Sequence, residues 1–540
     1  MKNTFSIYAV LLLSAFSFSC EKAPINNDTV GLSFVESSLP VGNTSKDGDT
    51  ISIMVNWAYT EWKIIIGEVE QGVGFIAMTS PTYGGDINKG PTTTSIDIIT
   101  NANENLGINT QEIYIESLYH DLADTIILNQ DAGVEEDVVY IIDPSIEYQK
   151  ISGFGGANAI WGTDYLNSRE SGLAFGTGEG NLGLSILRVR LSSNKSDWAG
   201  LVSSVKKAKE YNATIIASPW SPPANFKSNS STNGGGYLLY DYYDDFIAYI
   251  NDFIQYMDGQ GAGVDVVSLQ NEPDYQVSYE GCEYSSTEMF NLVRDYASGI
   301  TGAKVCGVES YRTNKTYTDL ILNDFTAVNN LDIVGGHLYG TPVTSYPLAA
   351  ERGKELWMTE HLLNLNSGQN PDNWTVNTPA GTIWAETLEM AEEIHDCMTN
   401  NWNAYIWWYI RRYYSFLGDG TNGTSRGEIL KRGFAMAQFS KFIRPGYVRI
   451  GIETDPEAEE TGLMMSAYKG FTDYVVVFIN NTDTSVDDIS LKSPGLVSSA
   501  ESYTTNLTLD MEKQPLTPVG QNVVVSIDAQ SIKTVVIRNN

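Results

Sequence analysis

The sequence predicts a multidomain chain. At its centre is a (β/α)8 TIM barrel with an attached side β-sandwich, and an all-β, Ig-like domain precedes it. Three observations predict this. Between 151 and 445, eight short apolar runs alternate with segments of helical period, the signature of a parallel sheet closed by crossovers. From 31 to 132, and again beyond 446, only β-runs split by turn residues occur. No GxGxxG or P-loop opens a helix, which disfavours a doubly wound nucleotide fold.

The first element is MKNTFSIYAVLLLSAFSFSC, a basic start at Lys2 and an apolar run too short to span a bilayer. Residues 1–20 are expected to be a signal peptide of lipoprotein type. Ser17 and Ser19 precede the anchoring Cys20, and export to a bacterial cell envelope follows. Residues 21–30 read as a linker. The runs ISIMVNWAY, WKIIIGEV, FIAMTS, TSIDIITNA, QEIYIESLY and DTIILNQ then predict a sandwich over 31–132. Two β-runs at 138–150 have no helical neighbours, so they are expected to pair with the terminal strands at 446–540.

The eight barrel strands are expected at 151–158, 182–190, 213–220, 264–273, 303–310, 331–340, 354–361 and 403–410. Segments such as YYDDFIAYINDFIQYM, apolar at every third and fourth position, supply the helices between them.

Acidic residues number 66 against 33 basic ones, a formal charge of −33. That excludes nucleic acid or anionic lipid as a partner over the whole surface and suits a neutral polymer. A membrane is expected to be met only through Cys20, and the protein to act as a monomer. Apart from Cys20, three cysteines remain, an odd number without metal-ligand spacing. The four histidines lack HExxH and no GxSxG elbow occurs, so neither a metal cofactor nor a serine nucleophile is expected.

In a barrel the chemistry sits at the C-terminal ends of the strands. The fourth run, VDVVSLQNEP, ends in Asn271 and Glu272, where Pro273 stops the ladder; the seventh ends in Glu360. They are three strand steps apart and so face each other across the mouth. Arg188, Arg190, Trp220, Glu309, His337 and Tyr339 end other runs, as do Trp407 and Trp408. Two carboxylates flanking a bond are what glycoside hydrolysis needs, one as proton donor and one as nucleophile or base. Glu309 is the rival carboxylate, expected to orient groups near the nucleophile.

The ordered motifs GFGGAN, LSILRVR, SPWSPPANFKSN, SLQNEPDY, YEGCEY, GGHLYG, LWMTEH, AYIWWYIRR and KRGFAMAQFSKFIRPGYVRI resemble glycoside hydrolase family 30, most of all its glucuronoxylanase subfamily 8. The resemblance runs from about 138 to the C-terminus. It implies a retaining endo-β-1,4-xylanase acting on glucuronoxylan or glucuronoarabinoxylan, with Glu272 as general acid/base and Glu360 as nucleophile. Trp161, Trp220, Asn271, Tyr275, Tyr339, Trp407 and Arg190 are then candidate sugar contacts. A glucuronate side chain would be read by Arg411, with Arg412 the fallback, since a guanidinium fork suits a planar carboxylate. The family's Tyr and Ser after the nucleophile are replaced here by Leu362 and Leu365, which weakens the expected glucuronate dependence. Another family 30 activity, on β-1,6-glucan or undecorated xylan, and a non-catalytic glycan-binding barrel are the alternatives. At 31–132, Trp57, Trp62, TSP and LNQDAG resemble the BACON domain, implying a spacer or a carbohydrate-proximal module.

Overall fold

The apolar runs become strands because β-branched residues fit a pleated, half-buried surface, and the amphipathic segments between them become helices. The computed structural model describes residues 30–36, 48, 50–71, 74–103, 109–130, 139–162, 164–363, 374–454 and 461–539. The expected leader with Cys20, most of the linker, and Leu365 lie outside these residues. Among the described residues, no helix is long and apolar enough to cross a membrane. The chain divides into two units, Met1–Asp137 and Val138–Asn540.

The first unit contains two four-stranded antiparallel sheets. One is built from Gly31–Phe34, Thr50–Ala58, Thr92–Thr100 and Ile76–Ser80; the other from Tyr83–Asp86, Thr60–Gln71, Asn109–Ser117 and Ala123–Gln130. Ile53, Val55, Ile96 and Ile98 meet Trp62, Ile113, Ile115 and Leu128 in one apolar core. Two of these strands escape a sequence reading. Gly31–Phe34 is short, and Tyr83–Asp86 contains two glycines that look like a turn. A Cβ at Gly84 would lie 2.2 Å from the ring of Trp62, so the strand is thinned to admit a buried indole.

In the second unit eight parallel strands close a barrel: Gly153–Ala157, Ile186–Arg190, Thr214–Ser218, Val266–Ser268, Lys304–Ser310, Ile333–His337, Glu355–Glu360 and Ala404–Trp407. Closure is sealed by the first strand pairing with the eighth, Gly153 opposite Ala404. Ile186, Ile216, Val266, Cys306, Ile333, Trp357, Ala404 and Ile406 fill the lumen. The alternate residues, such as Leu187, Val267, Met358 and Tyr405, point outward against the helices. Helix Tyr243–Gly259 buries Phe246, Ile250, Phe253 and Met257 in that layer. Helices Ser168–Phe175 and Ser286–Asp295 each begin on a capping box, Asn167 with Glu170 and Ser285 with Glu288.

Strand Val139–Lys150 lies antiparallel to Val448–Thr454 and parallel to Val486–Lys492, at the middle of a ten-stranded sheet. Tyr140, Ile142, Phe478, Leu491, Val523 and Val535 form part of that sheet's own core. Cys282, Cys306 and Cys397 are free and buried.

Candidate active site

Lumen-facing alternation carries the site upward from the barrel core. Val266 faces the lumen and Ser268 follows it two residues on; Glu272 lies beyond the end of that strand, where the backbone has left the extended form. From Ile186 the same step reaches Arg188, and from Ile333 it reaches His337. Glu360 closes the seventh strand. Glu272 and Glu309 both sit in the left-handed region, at φ 47° each, an arrangement costing non-glycine residues about 1–3 kcal/mol. Local strain of this kind belongs at a site held in shape by its surroundings. Here the Glu272 N–H donates to the Glu309 carbonyl at 3.0 Å.

Glu272 and Glu360 open onto a cleft of about 370 Å³, lined also by Trp161, Trp220, Tyr279 and Trp408. An oxygen of each carboxylate and a ring nitrogen of His337 lie within 4.8 Å of one another. Both oxygens of Glu360 accept hydrogen bonds: Oε2 from Arg188 Nη1 at 2.5 Å, and Oε1 from the Tyr339 hydroxyl at 2.9 Å. Arg188 is fully buried, and its Nη2 also donates to Asn271 Oδ1 at 2.6 Å. Glu272 Oε1 lies 3.0 Å from His337 Nδ1.

These surroundings act on Glu272 and His337. Burial pushes the Glu272 carboxyl above its ordinary value, and the negative charge of Glu360 adds to this against the opposing effect of His337. Burial disfavours charge on His337 too, but Glu360, Glu272 and Glu309 outweigh it and raise the imidazole to about 9. The imidazolium Nδ1–H therefore donates to Glu272. Glu272, His337 and Glu360 also have the composition of a metal site. With His337 protonated and Arg188 donating to Glu360, two cations already sit where a metal would need lone pairs.

The other expected residues divide. Trp161 and Trp220 form the cleft wall with ring centroids 5.6 Å apart, and Asn271 orients Arg188. Tyr339 is buried and serves Glu360. Tyr275 lies at the surface end of a stacked column, 4.1 Å from Tyr311, which is itself 5.0 Å from Tyr339. Arg190 pairs with Glu280 and supports Trp161 from 5.1 Å; it does not line the cleft.

Two expectations are corrected. Trp407 is completely buried in the outer layer, against Phe416 and Arg432, and does not line the cleft. Trp408 lines the cleft instead. The alternation Ala404, Ile406, Trp408 toward the lumen contains that answer in the sequence. Arg411 is likewise fully buried, paired with Glu170 and Asp164, and bonded to the main-chain carbonyl of Asp164 at 2.8 Å. A guanidinium so enclosed cannot read a substrate. Arg412 remains part-exposed, its guanidinium 4.0 Å over the ring of Tyr409 in the aromatic cluster of the cleft. Tyr279 was not foreseen: it lies on an irregular loop with no period to place it, and its ring meets Trp161 at 6.0 Å.

No protein-family model matches the chain. It is 36% identical over 406 residues to glucuronoxylanase XynC of Bacillus subtilis (strain 168), covering 73% of this chain and 91% of that one. Among solved structures it resembles the glycoside hydrolase family 30 subfamily 8 xylanase Xyn30A from Clostridium acetobutylicum. The TM-score is 0.65 at 32% identity, covering 74% of this chain and 99% of that one. It also resembles a GH30 endoxylanase from Clostridium papyrosolvens C71, with TM-score 0.62, 33% identity, and coverage of 75% and 100%. A closed parallel barrel that presents two facing glutamates, with relatives of this identity and coverage, places the chain in glycoside hydrolase family 30, and it is a glycosidase.

Proposed function

We propose that the protein is a retaining endo-β-1,4-xylanase in which Glu272 is the general acid/base and Glu360 the nucleophile. The observation that carries this is the approach of the two carboxylates to within 4.8 Å across a tryptophan-lined cleft. Retaining glycosidases hold their pair about 5 Å apart, whereas inverting enzymes need roughly 6.5–9.5 Å for an intervening water. Glu360, with a donor on each oxygen, is aimed as a nucleophile; Glu272, raised by burial, keeps a proton for the leaving oxygen. The likeness to a named glucuronoxylanase and two family 30 xylanases supports xylan as the polymer. NMR of the first-formed product from glucuronoxylan should show the β-anomer before mutarotation. An initial α-product, or release from β-1,6-glucan but not from xylan, would reject the assignment.

Glucuronate recognition is proposed to pass through Arg412. Arg412→Ala should lower kcat/KM on glucuronate-bearing xylan about 10- to 100-fold, the worth of a charge-assisted hydrogen bond, and leave undecorated xylo-oligosaccharides nearly unaffected. Arg411→Met should instead lower the melting temperature and reduce both activities alike, because it leaves the buried Glu170 with only the exposed Arg426 as its cationic partner. Leu362 is buried and offers no hydrogen bond, so glucuronate is proposed to assist rather than license cleavage. The amino-terminal sandwich is proposed as a spacer. Lys2, the apolar run and Cys20 support export with a lipid anchor.

A further inference from the structure

Below the cleft lies a third acid that the mechanism above does not use. Glu309 is fully buried, does not line the cleft, and reaches into the lumen at the end of the fifth strand. Space for it is set aside across the strand pair. A Cβ at Gly335 would come within 3.1 Å of Glu309 Cγ and 2.8 Å of Cys306 Sγ. One Glu309 oxygen is 3.1 Å from Arg188 Nη2 and 4.0 Å from His337 Nε2. Arg188 extends its other nitrogen to Glu360, and His337 its other nitrogen to Glu272. Each cation thus lies between Glu309 and one of the reacting carboxylates, Arg188 as a close ion pair and His337 through charge at 4.0 Å, beyond hydrogen-bond reach.

We propose that Glu309 is a positioning residue that keeps the buried site at constant charge through both half-reactions, acting on Glu360 through Arg188 and on Glu272 through His337. This rests on the roles assigned to Glu272 and Glu360 above. With substrate bound, Glu272 is neutral; Glu360 and Glu309 are anions facing two cations. In the first step a Glu360 oxygen forms the bond to the anomeric carbon. The glycosidic bond breaks with its electron pair on the leaving oxygen, which takes the Glu272 proton. Glu360 is now a neutral ester, and Glu272 and Glu309 are the two anions. In the second step water attacks the anomeric carbon and gives a proton to Glu272, while the ester bond's electrons return to Glu360. One negative charge has moved from Glu360 to Glu272 and back, and the balance is zero in each resting state.

Without Glu309 both states would carry one surplus positive charge in a low-dielectric interior, where unbalanced charge is costly. Burial opposes ionisation of Glu309, but Arg188 and His337 outweigh it and hold the carboxyl down to about 2, so it stays an anion at working pH. The groups facing this cluster are Arg188 on the second strand, and Ser268 and Glu272 on and beyond the fourth. The Cys306 thiol on the fifth is pushed up by burial; His337 on the sixth, Tyr339 just beyond it and Glu360 on the seventh complete the ring.

The test is the pH dependence of kcat/KM on glucuronoxylan for the full chain, with thermal melts alongside. The alkaline limb reports loss of the acid's proton in the free enzyme. Glu309→Gln, close to isosteric, should move that limb to lower pH by about one unit and lower kcat about tenfold with little change in KM. His337→Asn, which removes the cation beside Glu272, should move the limb to higher pH. The paired variant Glu309→Gln/His337→Asn removes one charge of each sign and should return the limb to within a few tenths of a unit of wild type. Should Glu309→Gln alone not fold, this paired variant decides, and a limb displaced by about one unit or more overturns the proposal. So does a folded Glu309→Gln that is slower with its limb unmoved. An inactive Glu272→Gln beside an unmoved Glu309→Gln limb would overturn this inference alone; an active Glu272→Gln would overturn the assignment beneath it.

Discussion

Glu360→Ala should lower the turnover of glucuronoxylan by about 10⁴-fold, some 5 kcal/mol of barrier, while the melting temperature changes little. The loss is large because Glu360 is proposed to form the covalent bond, and among the described residues no second carboxylate lines that face of the cleft. Glu309 is too deep to substitute, being fully buried and held by Arg188. Azide makes the prediction specific. In Glu360→Ala a small anion can enter from the vacated face and form the carbon–nitrogen bond, while Glu272 still protonates the leaving oxygen. The product should be the α-glycosyl azide. In Glu272→Ala, offered a substrate with an activated leaving group, azide should instead attack the glycosyl-enzyme and give the β-azide. Azide products of the opposite configurations would exchange the two roles, and undiminished hydrolysis by Glu360→Ala would remove Glu360 from the reaction.

How far the sequence reaches into this site depends on which constraint fixes each residue. The barrel is legible because eight β-rich runs alternate with segments like 243–259, and closure follows from the count. Glu272 and Glu360 are legible because strand ends in a barrel are a short list, and Pro273 marks one of them. The choice between Trp407 and Trp408 turns on the facing of one strand, which the pattern at 404 and 406 holds but a strand-end rule ignores. Arg411 fails for another reason. Its partner Glu170 caps a helix over 240 positions earlier in the chain, and nothing local reveals that the pair is enclosed. Tyr279 lies on a loop, where neither period nor burial pattern speaks. The twin roles of Arg188 and Glu309 are long-range as well: they join strands two, five and seven inside the lumen.

Arg188→Met should be strongly destabilising, costing about 3–5 kcal/mol at neutral pH, and should lower kcat by roughly 10²-fold or more. Methionine matches much of the volume, so packing against Trp220, now 4.8 Å from the guanidinium, is largely kept. What is lost is charge and direction. Glu309 and Glu360 are left without the guanidinium that bridges them, Asn271 loses its donor at 2.6 Å, and Glu360 keeps only Tyr339 to aim it. Stability should carry a pH signature with a definite sign. Glu309 in the folded protein is held down to about 2 from an ordinary 4.5. Its contribution is therefore present above the ordinary value and lost as pH falls toward about 2. Much of that depression comes from Arg188, so the variant lacks the contribution where the wild type has it. The gap in melting temperature between the two proteins should be widest near neutrality and narrow as pH falls from the ordinary 4.5 toward about 2, where the wild type loses the Glu309 contribution. Arg188→Lys keeps the charge without the fork and should fall between them in both stability and kcat. A gap that stays constant from pH 7 to pH 3 would mean that Arg188 stabilises the barrel by packing alone. The electrostatic link between Glu309 and Glu360 would then have to be abandoned.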